Sequence, residues 1–101
     1  MSLTIAQQAD LRIAVLEFLA QRFPLAYTAD SIGRMLVRRQ RIDYTPTSSD
    51  VTAACSFLKG ENFADSIIDS LAILPSWQAT SAGVTKFQRK HVEQNPAEGE
   101  L

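Results

Sequence analysis

The chain has 101 residues, of which 46% are hydrophobic and 21% charged, and a net charge of -1; this composition fits one globular domain with room for a single core and gives no overall attraction to nucleic acid. No apolar run approaches the roughly 20 residues of a membrane span and no basic-then-apolar leader opens the chain, so a cytoplasmic location is expected. Cys55 is the only cysteine, which excludes an internal disulfide and a cysteine-based metal site.

The first predicted element is a helix that opens with Thr4 and Gln7, the spacing of a capping box, and runs to about Arg22 before Pro24. Leu11, Val15, Phe18 and Leu19 lie on one arc, and Ile5, Ala9, Ile13, Leu16 and Ala20 extend the apolar surface around much of the girth. Such a helix is buried on more than one side. It is expected to be central, or to offer Ile13 and Leu16 to another subunit.

A second helix follows over 30–39, with Thr28 able to cap its start and Ile32, Met35 and Leu36 on its buried face. Arg34, Arg38 and Arg41 fall on the opposite arc. Arg39 falls on the apolar side, where its stem packs and its guanidinium reaches outward. Either Thr45 with Pro46, or Thr47 with Asp50, starts a third helix whose stripe is Val51, Ala54, Cys55 and Leu58. Cys55 on that stripe reads as a small buried hydrophobe. The outward arc carries Thr47, Ser48, Ser49, Thr52, Ala53, Ser56 and Lys59. Gly60 is expected to stop the helix through a left-handed backbone.

Beyond Gly60 the period changes. The stretches 62–69 and 76–80 alternate at strand density, and the turn between them carries Leu71, Ile73, Leu74 and the breaker Pro75. A two-stranded β-hairpin is predicted. Taken singly, Leu71 or Ile73 is expected to fold inward, although the tip cannot bury every apolar side chain. Thr80 or Ser81 then caps a last helix with a stripe of Val84, Phe87 and His91. The domain is expected to span 1–93, with a polar, disordered tail over 94–101.

Charge is unevenly spread along the chain. Through Arg41 there are six arginines against three acids, whereas from Ile42 to Thr80 Lys59 stands against five. A chain with a basic end and an acidic end can attract an anionic partner on one side only.

The stretch Leu11-Arg-Ile-Ala-Val-Leu, the helix pair ending in Val51-Thr-Ala-Ala-Cys-Ser-Phe-Leu-Lys-Gly, and Trp77-Gln-Ala-Thr-Ser-Ala-Gly-Val resemble segments of small bacterial and prophage winged helix-turn-helix proteins. The resemblance covers roughly Leu11 to Arg89. It implies a mainly α (α+β) fold: a three-helix core, a two-stranded wing and a closing C-terminal helix. It further implies double-stranded DNA binding by a small transcriptional regulator of bacterial or phage origin, with Thr45 to Lys59 as the recognition helix and Ile68 to Pro75 as the wing.

The residues carry that implication in part. Arg34, Arg38 and Arg41 suit phosphate contact where such a helix crosses a DNA backbone, and equally suit the dipole of their own helix end. Thr47, Ser48, Ser49, Thr52, Ser56 and Lys59 can bind phosphate, but no arginine, asparagine or glutamine faces out to read a base edge, and Asp50 opposes DNA. The wing offers no lysine or arginine. The alternative is therefore a protein-interaction module without DNA, or a homodimer, using Ile13, Leu16, Leu71, Ile73 and Leu74. No enzyme, metal or small-molecule cofactor is expected, since His91 is the one histidine and no glycine-rich phosphate loop is present.

Overall fold

The computed structural model describes the backbone of residues 3–68, 71 and 73–94, with side chains among these through residue 89. Helix α1 (Ile5–Gln21) opens on the expected capping box. Thr4 Oγ1 accepts from the Gln7 amide and Gln7 Oε1 accepts from the Thr4 amide, both at 3.0 Å. Two amides that no helical carbonyl can reach are thereby satisfied.

Helix α2 (Ala29–Arg38) is capped by Thr28, and helix α3 (Ser48–Gly60) by Thr47. Of the two possible starts of α3, the chain uses Thr47 with Asp50: Thr47 Oγ1 accepts from the Asp50 amide at 3.1 Å and Asp50 Oδ2 accepts from the Thr47 amide at 2.9 Å. All four residues of the α3 stripe, Val51, Ala54, Cys55 and Leu58, are buried. Burial pushes the Cys55 thiol up to about 12, consistent with an apolar site.

Both helices end in Schellman motifs. The Gln40 amide donates to the Val37 carbonyl and the Arg41 amide to the Leu36 carbonyl, each at 3.0 Å; the Asn62 amide donates to Lys59 at 3.0 Å and the Phe63 amide to Leu58 at 2.8 Å. The left-handed residues are Gln40 (φ 58°) and Asn62 (φ 65°). Gly60, expected to supply that conformation, is instead the last residue of α3 and has no positive φ.

Strands β2 (Ala64–Ile67) and β3 (Ser76–Ala79) pair antiparallel, as the alternation predicts, from Ala64 opposite Ala79 to Ile67 opposite Ser76. The expected two-stranded sheet is in fact three-stranded. Strand β1 (Tyr27–Thr28) adds to the other edge of β3, in the order β1-β3-β2. Two residues are too few to display a period. Trp77, Ala64 and Ala79 turn inward to the core formed by α1, α2 and α3.

Helix α4 (Ser81–Gln94) closes the domain from a tight junction. The Thr80 amide donates to the Phe63 carbonyl at 3.1 Å, Thr80 Oγ1 donates to the Asn62 carbonyl at 2.6 Å, and the Gly83 amide donates to Thr80 Oγ1 at 3.0 Å. A Cβ at Gly83 would lie 2.0 Å from the Phe63 carbonyl oxygen, so only glycine lets α4 start this close to β2. Val84 and Phe87 pack against the core. The side chain of His91 and the tail after Gln94 lie outside the described residues.

Candidate nucleic-acid interface

Basic and hydroxyl groups come together where α2 meets the start of α3. A cleft of 420 Å³ opens there, floored by Gly33, Val51 and Pro46 and edged by Arg34, Arg38, Thr47 and Ser48. Helix packing sets this geometry. A Cβ on Gly33 would stand 3.3 Å from Val51 Cγ2, so the glycine allows α2 and α3 to approach closely. The amides of Ser48 and Ser49, in the first turn of α3, have no carbonyl within the helix to bond. Ser48, Ser49, Thr52 and Ser56 are exposed along one arc of α3, as the spacing predicts.

The six N-terminal arginines divide by partner. Arg12 lies over the Phe57 ring and Arg22 over the Phe18 ring, each 4.0 Å from the centroid. Arg34 forms an exposed ion pair with Asp30 one turn back on α2. The side chains of Arg38 and Arg39 are exposed with no hydrogen-bonding or ionic partner among the described residues. Arg39 is the residue whose stem the helical wheel places on the packed side. It lies beyond the last residue of α2 as the capping residue, where the helical wheel no longer applies.

Arg41 does not join this surface, which corrects its assignment as a phosphate contact. It also lies past the end of α2 and turns back to α1. Its Nε donates to Glu17 Oε2 at 3.0 Å and its Nη1 to Asp10 Oδ1 at 3.3 Å. The hydrogen bond to Glu17 raises the guanidinium's pKa, so the cation is held more firmly still. Tyr44 completes the tie: its hydroxyl lies 2.9 Å from Asp10 Oδ2 and 3.0 Å from the Gln7 carbonyl oxygen, its one proton shared between them. Burial and that bond to Asp10 push the phenol's pKa up.

Lys59 is likewise drawn off the α3 arc. Its Nζ donates to Ser66 Oγ at 2.8 Å and stands 4.0 Å from Asp65 Oδ1, joining the end of α3 to β2. Among the residues expected to meet a partner, Leu16 is buried at 8% exposure within the single chain and Ile13 is half-buried. Leu71, Ile73 and Leu74 are exposed at the hairpin tip, not folded inward as Leu71 and Ile73 were expected to be. Among the described residues no cluster of three or more histidine, cysteine or acidic side chains could hold a metal. No helix there is long and apolar enough to cross a membrane.

A three-helix core whose second and third helices form the pair, followed by a hairpin and a closing helix, is a winged helix-turn-helix. No family model matches the chain, and no curated protein matches it in sequence. Solved structures share the fold. A transcriptional regulator from Clostridium thermocellum is similar over 98% of this chain and 93% of its own, with a TM-score of 0.72 and 11% identity. A PadR family transcription regulator from Clostridium difficile is similar over 88% of this chain and 91% of its own, at TM-score 0.66 and 13% identity. Lactococcus lactis ZitR is similar over 94% of this chain, which spans 64% of ZitR, at TM-score 0.64 and 16% identity.

Proposed function

We propose that this chain is a small transcriptional regulator that holds double-stranded DNA through its phosphate backbone at the α2–α3 face. The observation that carries the reading is the convergence of Arg34, Arg38, Thr47 and Ser48 on one cleft, beside the exposed hydroxyl arc of α3. In winged-helix geometry α3 enters the major groove and α2 crosses the backbone. Arg38 and Arg39 then reach phosphate directly, and Arg34 does so by exchanging Asp30 for it. Ser49, Thr52 and Ser56 face the groove with short hydroxyls that discriminate weakly between bases. Binding is therefore weak in sequence preference and steep in salt dependence. The same type of relation, regulators of similar fold, supports the reading.

Fluorescence anisotropy against random duplex at two or three salt concentrations tests it. Arg34→Ala with Arg38→Ala should weaken binding to all sequences alike and reduce the slope of log K against log salt by about two, one per lost phosphate contact. Unchanged affinity and slope in that variant would remove the α2–α3 face from consideration. The apolar hairpin tip favours a second reading, a protein-interaction module, which the same titration separates by showing no duplex binding at low salt.

A further inference from the structure

Two side chains of the connection between α2 and α3 meet on Asp10, a residue of α1 that does not line the α2–α3 cleft. Asp10 Oδ1 accepts from Arg41 Nη1 at 3.3 Å and Asp10 Oδ2 lies 2.9 Å from the Tyr44 hydroxyl, so one carboxylate fixes both. Between them Ile42 is buried in the core at 6% exposure, which pins the connection a third time. Directly after Tyr44 the chain becomes part of the cleft: Thr45, Pro46, Thr47 and Ser48 line one side, and Gly33, Arg34 and Arg38 of α2 line the other. Thr47 is also the cap of α3. The placement of the 45–48 wall relative to α2 is therefore set from α1, by a carboxylate outside the cleft.

We propose that Asp10 is a positioning residue for DNA binding, holding the 45–48 wall through Arg41 and Tyr44 in the arrangement that receives phosphate. The role rests on the proposed DNA contact at the α2–α3 face, and its sign sets it apart from plain electrostatics. A carboxylate on a DNA-binding protein repels phosphate, so removing one ordinarily tightens binding. A wall already held in place gives up less freedom when duplex binds, so removing the carboxylate that holds it weakens binding. An acidic side chain thus favours an acidic partner. Because Asp10 meets no phosphate itself, the loss comes without a change in salt slope.

Anisotropy titrations of the full chain against random duplex at low and moderate salt test the role, with variants that separate contact from charge. Asp10→Ala removes both bonds while alanine keeps α1 helical. Its affinity should fall about three- to tenfold at every salt concentration, the worth of one or two such bonds. Asp10→Asn removes the charge and keeps the bonds: its oxygen accepts from Arg41, and its amide donates to the Tyr44 oxygen, whose proton then goes to the Gln7 carbonyl. That variant should bind at least as tightly as wild type. Tyr44→Phe alters no charge and should weaken binding by about two- to fivefold. Asp43→Ala removes an exposed carboxylate of the same connection, one with no hydrogen-bonding or ionic partner among the described residues, and should bind as tightly as wild type or more so. Thermal melts establish that each variant is folded at the titration temperature, so that lost affinity is not lost fold. A folded Asp10→Ala protein that binds like wild type, or more tightly, overturns the proposal and leaves the DNA contact standing. So does an Asp10→Asn protein that loses as much as Asp10→Ala, because the bonds would then not carry the effect. A wild type that binds no duplex at low salt overturns the DNA contact itself, and the role of Asp10 with it.

Discussion

Replacing Arg41 with methionine keeps the stem and removes the cation that ties the α2–α3 connection to α1. The side chain is 33% exposed, Glu17 29% and Asp10 41%, so the pairs sit between solvent-screened and buried. Charge-assisted bonds of this partly buried kind are worth more than surface pairs at 0.2–1 kcal/mol and less than desolvated ones at up to about 3 kcal/mol. A loss of about 1–2 kcal/mol follows, most of it from the shorter and better covered bond to Glu17. For a domain of this size that is roughly 5–12 °C in melting temperature. Thermal unfolding measures the loss, and a double-mutant cycle with Glu17→Met should return a coupling of about 1 kcal/mol. Duplex titration of the same variant should leave the salt slope unchanged, because the guanidinium faces α1. An Arg41→Met protein that melts like wild type yet loses about one unit of salt slope would refute the reasoning and restore Arg41 as a phosphate contact.

Gly83→Ala should cost about 1–3 kcal/mol, since the added Cβ meets the backbone of Phe63, which cannot rotate away. Gly60→Ala, with nothing within 4 Å, should instead stabilise by about 0.5–1 kcal/mol; denaturant melts compare the two. Gln40→Gly should stabilise by about 0.5–1 kcal/mol by relieving a left-handed backbone at a residue with a Cβ, and a lower melting point in that variant would contradict the Schellman end. Burial raises the Cys55 thiol from 9.0 to about 12. Above pH 9 the unfolded chain therefore releases a proton that the folded chain keeps. That contribution is fully present below pH 9 and is lost as pH rises toward 12, by up to about 1.4 kcal/mol per pH unit. Denaturant midpoints between about pH 8 and 10, below the range where Tyr44 adds to the loss, should fall more steeply for wild type than for Cys55→Ala. Parallel declines would count against the buried thiol.

What was legible in the sequence was local. Thr4 with Gln7 and Thr47 with Asp50 satisfy amides three residues away, and the α3 stripe repeats within one helix, so spacing alone locates both. Arg41 shows the limit: its partners lie 24 and 31 residues earlier in the chain, beyond any periodic pattern. The wheel that placed Arg39 and Arg41 fails at Arg38 because the left-handed residue that ends α2 is a glutamine, which carries no such signal. Helix α1 is apolar on nearly every side, so its pattern could not tell which arc the rest of the chain would cover. Leu16, on an arc that the pattern leaves open to a partner, is instead covered within the single chain. At the candidate interface, the hydroxyl arc and Arg34 and Arg38 followed from spacing, whereas the freedom of Arg39 and the capture of Lys59 by β2 follow from where α2 and α3 stop.

The hairpin separates into a base and a tip with nothing in common energetically. The base is held by the pairing of Ala64 to Ile67 with Ser76 to Ala79, by Lys59 on Ser66, and by the Thr80 junction to Asn62 and Phe63. The side chains of Ile68, Leu71, Ile73 and Leu74 contribute nothing to the buried core. Polar replacements at Ile68, Ile73 and Leu74 thus change the exposed surface while leaving the described core packing intact. Mutation can explore new contacts there at almost no risk to the scaffold, and a grafted loop of another composition would redirect the same domain to a different surface.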